Sequence, residues 1–299
     1  MVFHLDTKVY MNTKINIQSY SNFSKSEIQK YFDKAYSKFN YVVEKFSRFD
    51  DSSELSKLNK DSGNKHKVSK ELYELIKFSL DLASKTNGAF DPTIIDILEA
   101  YGYDKRYDFS KLDNKEMMEK EIETIVKTRK SYKDIKLETS NKDYYITLEK
   151  GQRIDLGGCG KGYAIDLAHK ELLPLENFLI EAGGDIRCGG FTYDLNSKDL
   201  SKHKWVVGLS NPDNPSENIG RMELDPGFAI ACSGSFARKV KYFHHLIDPK
   251  TGKPREGIKS VFVSAPTAIV ADAYATASFV VGESIREILP EEVKLKVLN

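Results

Sequence analysis

The sequence predicts an α+β fold in which a central antiparallel sheet is flanked by helices. Three observations predict it. Helical periodicity dominates residues 20–130, short β-rich runs dominate 135–265, and the helical stretches in the second half do not alternate strictly with strands as a βαβ chain would. No Pro/Gly/Ser-rich linker divides the 299 residues, so the chain reads as one elaborated domain, 1–299, closing with helices over 268–297. An apolar fraction of 40% is enough for a real core.

Taken in order, residues 7–18 alternate loosely and predict a strand. Ser26 with Gln29 forms a capping-box pattern, and behind it Ile28, Tyr31, Phe32, Ala35, Phe39, Val42, Val43 and Phe46 keep helical spacing. Ser69 caps a second helix with Leu72, Leu75, Ile76, Leu82 and Ala83 on one face, and Asn87-Gly88 stops it. Asp91-Pro92 restarts the chain with Pro at a first helical position. Residues 113–129 read as a third surface helix, opened by Asp113 and Glu116. From Ile135 come β-rich runs at 144–149, 153–156, 178–181, 205–209, 221–225, 228–232, 240–247 and 260–265, interrupted by helices at 162–172 and 268–281. Residues 211–216, with two prolines and two asparagines, read as a surface loop.

Composition excludes several functions. Lys and Arg total 45 against 44 Asp and Glu, a net charge of +1 that neither gathers nucleic acid nor coats a membrane. Charge clusters such as 199–204 read as solvated loops. Cys159, Cys188 and Cys232 are an odd number without a C-x-x-C, the pattern of reduced thiols. The start lacks the features of a signal peptide and no apolar run nears the ~20 residues of a membrane span, so a cytoplasmic protein without membrane insertion is expected; a trimmed chain would read the same.

The chemistry concentrates in three stretches. In residues 153–166 a β-rich run leads into Gly157-Gly158-Cys159-Gly160-Lys161-Gly162 and then a helix. Glycines let backbone amides approach an anion, a helix N-terminus favours negative charge, and Lys161 adds a point charge suited to phosphate. The plainer reading is a tight turn beside a solvated lysine. No Ser or Thr follows the lysine, so this is not a Walker A loop, and it is not G-x-G-x-x-G. In the second stretch Asp272 and Thr276 stand at i and i+4 of one helix, a carboxylate and hydroxyl suited to a hard cation such as Mg²⁺. Alternatively Asp272 helps to cap that helix and Thr276 bonds back to a carbonyl. In the third, His244 and His245 lie in a predicted strand and would face opposite sides, so one can serve as a base while the other faces solvent; an inert strand-edge histidine is the alternative. Phe90, Tyr101 and Tyr103 are candidates to stack on a flat ring or to pack a core, and Cys159 reads as a small packing residue.

The order of these pieces resembles the FAD:protein FMN transferases, the ApbE family, over nearly the whole chain. The matching motifs are residues 90–93, 154–166, 183–186, 233–234, 245–252 and 271–276. The resemblance implies an ApbE-like fold, FAD as substrate, Mg²⁺ as cofactor, AMP as leaving product, and FMN delivered to a Thr or Ser of an acceptor flavoprotein. It implies that Asp155 and Lys161 contact FAD, that Met11, Ala89, Phe90, Asp91 and Ser233 line its site, that the Gly158 carbonyl, Asp272 and Thr276 hold the metal, and that His245 is catalytic. The sequence departs from the family pattern at Asn12, usually glycine, and at Phe49, often tyrosine, and it shows no export signal or lipid anchor. The alternatives with the same residues are a Mg²⁺-dependent FAD pyrophosphatase giving FMN and AMP, and a flavin-binding protein without turnover.

Overall fold

Alternation in the N-terminal residues builds a hairpin rather than one strand. Strand β1 (Val2–Tyr10) pairs with β2 (Thr13–Ser21), and Met11 and Asn12 make the turn with φ of 52° and 58°. Two successive left-handed residues are what a tight right-twisted hairpin requires, and Asn tolerates that region better than most residues. This accounts for Asn12 as a substitute for glycine. The structure, a computed structural model, describes residues 1–195, 201–214, 216–236, 239–241 and 243–299; part of the predicted 199–204 cluster and one residue of the 211–216 loop fall outside these.

The hairpin starts a seven-stranded antiparallel sheet that continues through β3 (Phe178–Ala182), β4 (Asp185–Gly189), β5 (Ala229–Gly234), β6 (Ser260–Ala265) and β7 (Lys294–Leu298), side by side in chain order. Period-two alternation divides its faces. Ile15, Ile17, Ile180, Ala231, Val261 and Val263 pack under helices, whereas Leu179, Cys188, Ile230 and Phe262 pack under a separate hairpin, Trp205–Ser210 with Asn218–Leu224. Strand β7 corrects the expectation of helices to 297: a short 3₁₀ turn over Glu283–Ile288 follows the last helix, and Lys294–Leu298 pairs with β6.

Among the described residues seven α-helices enter between the strands: α1 (Lys25–Phe46), α2 (Glu54–Lys60), α3 (Lys70–Lys85), α4 (Ile95–Ala100), α5 (Lys115–Thr128), α6 (Gly160–Leu172) and α7 (Ala268–Val281). The capping box of α1 is Ser24 with Glu27, two residues before the predicted pair. Glu27 carries a charge that suits a helix N-terminus, and Gln29 instead reaches Asp6 and Asp33. Ser69 caps α3 as expected. Pro92 does not open a helix. Asp91 accepts from the Thr93 amide and hydroxyl, forming a turn, and α4 starts only at Ile95. Residues 153–156 form no strand, because the side chain of Asn59 takes both the amide and the carbonyl of Ile154 at 2.8 and 2.9 Å. A three-stranded sheet of Lys65–Val68, Asp143–Thr147 and Lys136–Ser140 flanks α3. No helix among the described residues is long and apolar enough to cross a membrane.

Candidate active site

The contact between α6 and α7 sets the site. A Cβ at Gly162 would lie 2.3 Å from the Ala268 carbonyl oxygen, so only glycine allows this approach. Neither helix has a side-chain cap of its own. They cap each other instead. Asp272 Oδ2 accepts from the Gly162 amide at 2.9 Å, and Asp166 accepts from the Ala268 and Ile269 amides at 2.7 and 3.0 Å. Asp166 is also paired with Arg187, which donates to the carbonyls of Pro266 and Gly227. Asp272 therefore does not cap its own helix; it is pinned toward the glycine turn.

Beside this contact lies a cavity of about 270 Å³. It gathers Ala89, Phe90 and Asp91 from the loop after α3, Asp155, Gly157, Gly158 and Lys161 from the turn into α6, Ser233 from β5, His245, and Asp272 and Thr276 from α7. Met11 is the one expected residue not on its wall; it sits half-buried at the hairpin turn, packed against the core. Of the three aromatics, Phe90 and Tyr103 line the cavity, while Tyr101 is buried against Phe243 with its hydroxyl donating to the Gly252 carbonyl. A second cleft of about 510 Å³, across α4, includes Asp96, Glu99, Arg129 and Arg153 and holds none of the expected site residues.

The glycine turn offers fewer amides to an anion than its sequence suggests. The Gly157 amide donates to Asp155, those of Cys159 and Gly160 to the Leu156 carbonyl, and that of Gly162 to Asp272. Cationic side chains supply positive charge instead. Lys161 Nζ is salt-bridged to Asp185, whose side chain is 2% exposed, and stands 3.8 Å from Asp272 Oδ1. Arg48, 8% exposed, pairs with Asp155 and Glu99 and donates to the Tyr103 carbonyl. Neither Arg48 nor Asp185 stood among the expected site residues. Asp185 lies inside the 183–186 motif, and Arg48 precedes the singled-out Phe49, but nothing local in the sequence pairs them with Lys161 and Asp155.

The histidines separate, but not by strand geometry, and His244 does not face solvent as expected. Residues 244–246 form no strand; among the described residues of 240–247 there is only a Val240–Phe243 bridge before the short strand Ile247–Asp248. His244 is buried edge-on to Phe279, its Nε2 bonded to the Arg255 carbonyl, and burial lowers its pKa. His245 faces the cavity, its ring 6.1 Å from that of Tyr103. Asp91 lines the cavity with both carboxylate oxygens engaged by protein donors. One of its oxygens serves Thr93 and the other Arg129 at 2.9 Å. Burial pushes the Cys232 thiol, also on the wall, up to about 12, which keeps it protonated near neutral pH.

The oxygen donors of Asp272, Thr276 and Gly158 fit a hard cation. Asp272 and Thr276 are one turn apart, and a Cβ on Gly158 would sit 3.6 Å from Thr276 Cγ2, so all three share one corner of the cavity. With a single carboxylate the set is incomplete alone; among the described residues no group of three or more His, Cys, Asp or Glu could hold a metal. Substrate phosphate oxygens would complete it, as Mg²⁺ sites commonly require.

A family model described as the ApbE family matches residues 11–298. The FAD:protein FMN transferase of Treponema pallidum (strain Nichols) is 26% identical over 289 residues, covering 92% of this chain and 78% of that protein. The protein of the same name from Escherichia coli (strain K12) is 26% identical over 254 residues, covering 82% and 67%. Among solved structures, the ApbE protein of Thermotoga maritima superposes with a TM-score of 0.81 at 29% identity over 99% of this chain and 94% of its own. The flavin transferase ApbE of Vibrio cholerae gives 0.78 at 22% over 99% and 93%, a likeness of fold.

Proposed function

The chain belongs to the ApbE family, and on that premise we propose that it is an FAD:protein FMN transferase. It transfers the FMN half of FAD, in the presence of Mg²⁺, to a Thr or Ser hydroxyl of an acceptor flavoprotein and releases AMP. The carrying observation is that Lys161, His245, Asp272, Thr276 and the Gly158 turn, far apart in sequence, line one cavity. The names of the Treponema and Escherichia relatives support the reading. The three free thiols suit a reducing compartment, and we place the enzyme in the cytoplasm.

In the proposed reaction the acceptor hydroxyl oxygen bonds to the phosphorus of the FMN half. The bond from that phosphorus to the bridging oxygen breaks, and the bridging oxygen leaves with AMP. His245 takes the hydroxyl proton. Lys161, steadied by Asp185, faces the diphosphate charge, and the wall around Phe90 and Tyr103 offers apolar surface to a flat ring. Asp272, Thr276 and the Gly158 carbonyl would hold Mg²⁺, which when bound supplies neutralising charge to the diphosphate.

Incubation with FAD and Mg²⁺, with and without an apo-flavoprotein acceptor, tests this by chromatography of the nucleotides. AMP that depends on acceptor supports the transferase. AMP with free FMN at the same rate without acceptor means a pyrophosphatase, and no AMP at all means a flavin binder.

A further inference from the structure

We propose that Arg129 is a positioning residue, which fastens the Asp91 loop and the His245 loop to each other and so holds the proton-accepting histidine in place. The rate readout rests on the proposed transferase reading; the structural readout below does not.

Arg129 follows the last turn of α5, and its side chain is 10% exposed. Its guanidinium bonds in two directions. Nη2 donates to Asp91 Oδ2 at 2.9 Å and to the Pro249 carbonyl at 3.2 Å, while Nη1 donates to Thr93 Oγ1 at 3.0 Å. Asp91 and Pro249 both lie on the cavity wall, and they come from segments that are not neighbours in any sheet. The Asp91 side chain is 2% exposed and fully engaged, so its charge acts within the wall.

The His245 side needs such an anchor. Pro249 lies four residues beyond His245; between them Ile247–Asp248 pair with the two-residue strand Lys253–Pro254, and the Leu246 carbonyl accepts from the Arg255 amide at 3.0 Å. The Gly252 amide closes that turn onto the Asp248 carbonyl at 2.8 Å. A shift of the Pro249 carbonyl therefore moves the turn as a unit, with His245 at its base. Nη2 bridges carboxylate and carbonyl while Nη1 holds Thr93, a planar spread of donors that the single nitrogen of a lysine does not match. Arg129 also borders the 510 Å³ cleft, which gives a small solute a path to its place.

The test uses the full chain with Arg129→Lys and Arg129→Ala. Amide hydrogen exchange of the ligand-free proteins should accelerate in peptides covering 89–94 and 244–252, with α6 and α7 unchanged. In the transfer assay Arg129→Ala should lose at least about tenfold in kcat, with FAD affinity changed less than about threefold. Guanidinium chloride below denaturing concentration should restore part of that rate, whereas potassium chloride at equal ionic strength should not, and neither should help His245→Ala. If Arg129→Ala does not fold, Arg129→Lys carries the exchange test. Exchange that quickens across the whole chain, or only around 128–131, would overturn the proposal. So would an unchanged kcat, or a lost rate that guanidinium leaves untouched. Should the wild-type protein bind FAD yet transfer nothing, the transferase reading fails, and the exchange pattern still decides this one.

Discussion

The Gly162 amide donates to Asp272 Oδ2 at 2.9 Å, joining the start of α6 to the fifth residue of α7. This one bond aims the carboxylate proposed above as a metal ligand, and it exists because residue 162 has no Cβ to strike Ala268.

Gly162→Ala should therefore separate the two helices. Overpacking of this kind costs about 1–3 kcal/mol. A fall in Tm together with a loss of Mg²⁺-dependent turnover is expected. A variant with wild-type Tm and rate would show that the approach is not tight.

Asp272→Asn should keep the fold and lose the metal response. The amide oxygen can still accept from Gly162, but the negative charge that would face the proposed cation is gone. Activity titrated against Mg²⁺ should not be rescued at concentrations that saturate the wild type; a normal titration would remove Asp272 from the metal site.

Mg²⁺ and FAD should bind cooperatively. Lys161 stands 3.8 Å from Asp272 Oδ1, and one carboxylate beside one ammonium is a poor cation site until a diphosphate joins. Calorimetry should find weak Mg²⁺ binding alone and stronger binding with FAD, and by linkage stronger FAD binding with Mg²⁺. Equal affinities would contradict this.

His245→Ala and His244→Ala should fail differently. The first removes a proton acceptor on the cavity, an expected loss of roughly 10²–10⁴-fold in rate with a small change in Tm. The second opens space beside Phe279 and abandons the Arg255 carbonyl, so it should lower Tm first. The reverse pattern would move the base to the other histidine.

Stability should fall on acidification because of His169. Burial, with Arg187 beside it, lowers its pKa to about 4, and its Nε2 bonds to the Cys188 carbonyl. Below the ordinary histidine pKa the unfolded chain binds the proton that the folded one refuses, so stability declines as pH drops from 6.5 and levels off below about 4. The loss by pH 5 should be about 2 kcal/mol, and urea denaturation of His169→Gln should show a shallower decline. An equal decline would assign the effect elsewhere.

The glycine turn and the Asp272 and Thr276 spacing are legible because each is local, whereas the choice of His245 over His244 comes from the family resemblance. Of the expected site residues all except Met11 reach the cavity wall. What the sequence hides is who partners whom. The resemblance places Asp91 on the lining of the FAD site, and only the fold reveals Arg129 paired with it. Lys161 reads as solvated or phosphate-bound, and only the fold supplies Asp185. Local patterns also mislead where a side chain replaces a ladder, as Asn59 does beside Ile154, and where two capping patterns overlap, as at Ser24 and Ser26.

The most direct measurement is the intact mass of an acceptor flavoprotein after incubation with the enzyme, FAD and Mg²⁺, read beside the AMP formed. The account predicts an acceptor heavier by one FMN residue, one AMP per adduct, and neither product when a chelator removes the metal. An acceptor of unchanged mass, while FAD is consumed to FMN and AMP or remains bound and intact, would contradict it.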